Sequence, residues 1–221
     1  MDVLEAITGR ASTRAFLDTP VSPATVSAVL DVARWAPSGV NTQPWHVAVI
    51  GDENRRRISR AIVQAREADT PPNPDYDYYP RQWREPYKTR RLRCGLALYG
   101  ALDIARNDRA ARKAAWYRNY SFFGAPVGLL FFIDRDLTTG SWLDMGMFLQ
   151  SVMLAARSHG LATCPQASLA EYPDLVRGIL QLPPSRALVC GIALGYADAN
   201  APVNRYRTER EPVEAFTQWF D

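Results

Sequence analysis

The order of apolar runs in this 221-residue chain predicts helices packed around a small mixed β-sheet, an α+β or α/β fold. Three observations carry that expectation. Helical patterns come first; two long apolar runs, 127–134 and 187–196, are then spaced by long helical stretches; and no hairpin signal joins neighbouring strands.

In order, residues 3–9 form a short amphipathic helix with Val3, Leu4 and Ile7 on one side. Ser22 is an N-cap ahead of Pro23, and Val26, Val29, Leu30 and Ala33 recur at helical spacing, so residues 23–36 are a helix. Residues 47–50 read as a strand and 54–67 as a helix. From 69 to about 87 the chain turns rich in proline and tyrosine, the signature of a loop or lid. Helical patterns resume over 89–105 and 109–118. Residues 127–134 are apolar enough for a central strand buried on both faces. The stretch 142–158 is a helix apolar around most of its circumference, which belongs in a core or at a subunit interface. A short strand at 161–164, a helix at 169–180 and a core strand at 187–196 follow. The tail ends in Phe216, Trp219 and Phe220, rings that need cover, for which a partner subunit is the economical source. One domain spanning 1–221 results, with a lid or insertion at about 68–120 and an arm at about 201–221.

Bulk composition removes several functions. No run of 18 apolar residues suggests a membrane span, and the first residues lack the basic and apolar regions of a secretory signal. Cys94, Cys164 and Cys190 give no disulfide framework, which leaves a cytoplasmic protein as the expectation. His46 and His159 have no cysteine or carboxylate at ligand spacing, so no metal site is expected, and His46 reads as structural. Neither a Walker A loop, a nucleophile elbow nor a dinucleotide-binding glycine motif is present. An enzyme of this composition borrows its chemistry from an organic cofactor. Arg81, Arg84, Arg90, Arg91 and Arg93 interleave with Tyr76, Tyr78, Tyr79, Trp83 and Tyr87. Such a stretch suits a non-enzymatic nucleic-acid module, or equally a lid over an anionic aromatic molecule. Asp75, Asp77 and Glu85 dilute its charge and count against nucleic acid.

Three segments offer binding chemistry. Residues 36–45 hold Pro37, Gly39, Pro44 and four neutral hydrogen-bonding side chains, Ser38, Asn41, Thr42 and Gln43. Fixed and permissive backbone torsions there set a shape, and uncharged donors and acceptors suit a heteroaromatic edge. Arg10, Ser12 and Arg14 follow Gly9 at a helix end, and Arg205, Arg207 and Arg210 lie near the C-terminus. Two arginines on a phosphate supply roughly 3 to 6 kcal/mol when desolvated. As surface ion pairs they contribute at most about 1 kcal/mol each.

Taken in order, the segments 9–16, 36–45, 160–166 and 191–196, with Arg210 and Pro212, resemble the nitroreductase family of FMN-dependent enzymes along nearly the whole chain. The resemblance implies a nitroreductase-like α+β fold and an intertwined homodimer with FMN at the subunit interface. By position it assigns Arg10 and Arg210 to the phosphate, with Ala11 standing where many members have a second arginine and Ser12 beside it. It places Arg14 near the pyrimidine side of the ring, where positive charge stabilises the anionic reduced flavin. Pro37, Ser38, Asn41 and Gln43 match the loop meeting the ring edge or ribityl chain, in part from the other subunit. Pro165 and Gln166 match the stretch whose backbone N–H faces flavin N5. Val40, Tyr79, Trp83, Arg84 and Tyr87 are the expected substrate wall. The implied activity is NAD(P)H-dependent reduction of a nitroaromatic or quinone-like molecule, with flavin-borne chemistry and no catalytic side chain. Reductive dehalogenation or another reduction of a phenolic acid is the alternative.

Overall fold

The structure, a computed structural model, describes residues 1–220. Asp221, the last position of the expected arm, lies outside them. Among the described residues, seven α-helices surround one four-stranded sheet: α1 (Val3–Gly9), α2 (Pro23–Ala33), β1 (His46–Ile50), α3 (Asp52–Glu67), α4 (Tyr87–Ala101), α5 (Arg109–Tyr117), β2 (Val127–Asp134), α6 (Thr139–Ser158), β3 (Ala162–Gln166), α7 (Pro173–Leu180) and β4 (Arg186–Gly195). Ser22 caps α2 as expected, its hydroxyl accepting the Thr25 N–H at 3.0 Å. No helix among the described residues is long and apolar enough to cross a membrane.

Strand order is β1-β2-β4-β3, and every neighbouring pair is antiparallel. The expected mixed sheet is therefore corrected. A 3-10 turn at Ala167–Glu171 carries the chain back before α7, so it enters β4 from the end where β3 stopped. Pro173 begins α7 and divides the single helix expected over 169–180, because a proline ring has no N–H to continue the preceding turn. The only parallel pairing among the described residues is an isolated bridge between Ser12 and Thr163.

The two central strands explain the core. Leu129, Phe131 and Ile133 of β2 face α2 and α6, whereas Leu130 and Phe132 face α3 and α7. Period-two alternation thus feeds two apolar layers from one strand. In β4 the alternation breaks: Phe131 pairs with Cys190 and Phe132 with Leu188, so Val189 is an extra residue, a β-bulge. Its carbonyl accepts the Tyr76 hydroxyl, and the Leu188 N–H donates to the Asp75 carboxylate at 2.8 Å. Backbone groups near the bulge are thus satisfied by the first residues of the lid. Asp75 is also held by Arg177 at 2.6 and 3.2 Å and by Arg135. Burial raises the Asp75 pKa, but these guanidinium and amide donors outweigh it and hold the carboxyl below its ordinary value.

The long α6 is buried along Met145, Phe148, Val152 and Ala156, yet it leaves a second stripe uncovered. Leu143 is 68% exposed and Met147 40% exposed, one turn apart. Val3, Leu4 and Ile7 of α1 and the rings of Phe216, Trp219 and Phe220 are exposed too.

Candidate functional site

The segment after α1 is built into the edge of the sheet. Thr13 donates its N–H to the Thr163 carbonyl at 2.9 Å, and Leu17 donates to the Tyr196 carbonyl at 2.9 Å. Residues 12–13 therefore run beside β3, the edge strand on which Pro165 is tolerated, and residues 16–17 beside the chain that leaves β4. Cys164 lies in that strand, its pKa pushed up to about 11 by burial despite Arg14, Ser12 and Arg10 nearby.

Arg10 is half-buried, and its pKa is lowered, first by burial and then by the positive charge of Arg210, with Arg157 and Arg207 adding to it. Four guanidinium groups thus converge on one place. Gly9 is needed there, because a Cβ on it would lie 2.6 Å from Arg157 Nη2. Arg207 donates to the Gly9 carbonyl at 3.3 Å, and Arg157 Nε is buried without a partner. Arg210 turns onto its own chain, donating to Thr208 Oγ1 at 2.7 Å and the Glu209 carbonyl at 2.8 Å. Repelling cations gathered without a neutralising carboxylate make an anion site. Arg157 had no sequence signal: it sits in the last turn of α6, 147 positions beyond Arg10.

Arg14 is oriented by the C-terminal arm. Its N–H donates to Asn204 Oδ1 at 2.8 Å, while Asn204 Nδ2 donates to the carbonyls of Ala15 at 2.8 Å and Asp198 at 2.9 Å. Its guanidinium donates to the Tyr206 hydroxyl at 2.8 Å and the Ser12 carbonyl at 3.3 Å. Arg14, Pro165 and Gln166 then line a cavity of about 1060 Å³ whose far wall is α4 and α5. On its floor, the Gln166 Oε1 and Ser168 Oγ atoms are buried without partners, although Gln166 Nε2 donates to the Asn119 carbonyl at 2.6 Å. Buried acceptors left open beside a cavity mark a place for a ligand or ordered water. Behind the wall, Tyr120 is fully buried, accepting from Arg66 at 2.7 Å and Trp116 at 3.1 Å and donating to Glu171 at 3.0 Å. Burial and the Glu171 charge push its pKa up to about 12.

Of the expected substrate wall, Tyr79 lines the cavity, whereas Val40, Trp83, Arg84 and Tyr87 do not line it within the protomer. Trp83 instead packs behind Tyr79, ring centroids 5.6 Å apart, and beneath Arg91. The Arg84 guanidinium lies over Tyr87.

The 36–45 loop also lies away from this cavity. Val40, Asn41 and Gln43 adopt φ of 44°, 60° and 48°, a strained run for residues with side chains and most of all for a β-branched valine. Internal bonds hold it: Ser38 Oγ accepts the Gln43 N–H at 3.0 Å, and Gln43 Nε2 donates to the Asn41 carbonyl at 3.1 Å. Asp144 of α6, itself buried, accepts the Gly39 N–H at 3.2 Å. Trp45 stacks on Phe148 at 4.5 Å, and Val40 at the tip is 98% exposed. Ser38 and Gln43 are thus occupied within the loop, while the Asn41 amide points to no partner among the described residues.

A family model described as the Nitroreductase family matches residues 7–196. The chain is 43% identical to a 4-nitrobenzoate reductase of Pseudomonas putida over 213 residues, covering 96% of this chain and 93% of that protein. It is 41% identical to a nitrobenzene nitroreductase of Ectopseudomonas oleovorans over 214 residues, 96% and 94% of the two chains. The crystal structure of NfnB, an FMN and NADPH-dependent nitroreductase from Sphigopyxis sp. strain HMH, superposes with a TM-score of 0.95 over 100% of both chains at 42% identity. The matched span takes in the arginine segment after α1, the strained loop and the Pro165-Gln166 edge alike, and the chain belongs to the nitroreductase family.

Proposed function

We propose that this chain is an FMN-dependent oxidoreductase that uses NAD(P)H to reduce nitroaromatic or quinone-like molecules, working as a homodimer. The observation that carries this reading is the convergence of Arg10, Arg157, Arg207 and Arg210 at the end of α1, a few residues before Arg14, which lines the cavity. These residues fit the phosphate end of FMN, with Ser12 and the Ala11 backbone beside them. Arg14, fixed by Asn204 and Tyr206, fits the pyrimidine edge, and Pro165-Gln166 the central ring. FMN held by these residues would supply the redox chemistry that links oxidation of NAD(P)H to reduction of the acceptor. The protein's own part is to hold the ring, set its electrostatics and shape the acceptor space.

The loop 37–43 supports the dimeric part of this reading. It presents Asn41 and Val40 outward, as a loop completing a neighbouring protomer's site must. The uncovered stripe of Leu143 and Met147 on α6 is the apolar surface that a second copy would cover. Sedimentation of the purified protein should return twice the 24.8 kDa chain mass. A monomeric mass would overturn the dimer and the placement of that loop.

The activity itself is tested by purifying the protein and looking for a flavin spectrum, then following NAD(P)H oxidation with a nitroarene. Failure to retain or reconstitute FMN sinks the reading. Halide release from a halophenol, without nitroarene turnover, would favour the dehalogenase alternative. Identity does not choose between charged and neutral nitroarenes, since relatives named for each are almost equally similar.

A further inference from the structure

Six cationic side chains line the cavity against two acidic ones, Asp77 and Glu171. Glu171 is committed to Arg66 at 3.1 Å and to Tyr120. The cations of α4 are sorted by helix face. Arg90 and Arg93 point away from the cavity and pair with the C-terminal arm, at 2.8 Å to Glu211 and 3.8 Å to Glu209. Lys88 and Arg91 stand on the opposite face with Leu92, Gly95 and Tyr99, the spacing of one helical stripe, and line the cavity. Among the described residues neither has a carboxylate partner, although the arm supplies acids to their neighbours. Arg91 is steadied by its guanidinium lying 5.3 Å from the Trp83 ring. On the same wall, Arg112 of α5 lies 4.4 Å from the Tyr99 ring of α4. Aromatic rings thus stand beside unneutralised cations along one wall of the cavity.

We propose that Lys88 and Arg91 form an anionic subsite of this cavity and that the preferred acceptor is an aromatic nitro compound bearing a carboxylate. This rests on the nitroreductase reading of the cavity. Rings of the wall, Tyr79 and Tyr99 among them, take the flat face of the acceptor, and the Arg91 fork takes its carboxylate. The same cations suit the phosphates of the electron donor, so the test separates the two sources of negative charge.

With flavin-loaded protein and saturating NADPH, kcat/KM is compared for 4-nitrobenzoate and nitrobenzene. The wild type should favour 4-nitrobenzoate, and added salt should erode that preference. In Lys88→Gln/Arg91→Gln the ratio should fall at least about tenfold, equivalent to about 1.4 kcal/mol, with the change in KM for the charged acceptor. Arg90→Gln/Arg93→Gln, on the other face, should keep the ratio. An unchanged ratio in the Lys88/Arg91 variant overturns the proposal. So does a rise confined to the KM for NADPH, which would give these cations to the dinucleotide phosphates. Calorimetry with benzoate and benzamide separates this inference from the activity. If no nitroarene is reduced, the proposed activity falls. Benzoate binding that is lost in the variant would still support the subsite, and no binding would overturn it.

Discussion

Replacing Asp75 with alanine is expected to lower stability by about 3 kcal/mol, the low end of the cost of breaking a buried ion pair, because Arg177 keeps Asp174 and the Arg186 carbonyl as partners. Asp75 and Arg177 have side chains only 3% and 6% exposed, so neither charge can turn to water when the other is removed. The substitution also strips the Leu188 N–H of its acceptor beside the β4 bulge. In a chain of this size the melting temperature should drop by roughly 10 °C. A urea titration or thermal melt that moves by less than about 1 kcal/mol would show that the sheet satisfies these groups another way. The pH dependence has a definite sign. Because the native carboxyl titrates below its ordinary value of 3.8, its contribution is complete above that value and is lost as pH falls through the native value. Wild type and Asp75→Asn should therefore converge in stability under acid and separate toward neutrality.

Arg10→Ala and Arg210→Ala are each expected to weaken FMN retention at least about tenfold, or about 1.4 kcal/mol. Fluorescence titration of the flavin-free protein measures this directly. A second readout guards against a merely structural effect. Burial first, and then the charges of Arg210, Arg157 and Arg207, disfavour the charged form of Arg10, so removing one guanidinium relieves repulsion in the flavin-free protein. Its melting temperature should hold or rise while affinity falls. A loss of stability together with unchanged affinity would give these arginines a structural role and overturn the phosphate assignment.

Local pattern makes much of this protein legible from its residues alone. The limits of β2, the Ser22 cap with Pro23 and the apolar body of α6 all follow from periodicity and end signals within about twenty residues. The arginine segments and the 36–45 loop stand out by composition, and their order along the chain carries the family resemblance. What escapes is set by partners distant in sequence. Asp75 meets Arg177 across 102 positions and Leu188 across 113, and neither residue carries a local sign of the other. Arg157 reads as one more basic residue at a helix end, a common preference. The antiparallel pairing of β3 with β4 follows a 3-10 turn that helical periodicity absorbs into one helix. Ser38 and Gln43 look free to contact a ring, and only the folded loop shows them bonded to it instead.

The stitched bulge of β4 also redraws what can be exchanged between relatives. Composition marks an insertion over about 68–120, as if that whole stretch were a detachable part. Asp75 and Tyr76 complete the backbone of a central strand, and at the other end Asn119 and Tyr120 hold Gln166 and Glu171. Both ends belong to the sheet rather than to the lid. The transplantable module is the span between them, 77–118, and a graft cut at 68 and 120 would carry away part of the scaffold meant to receive it.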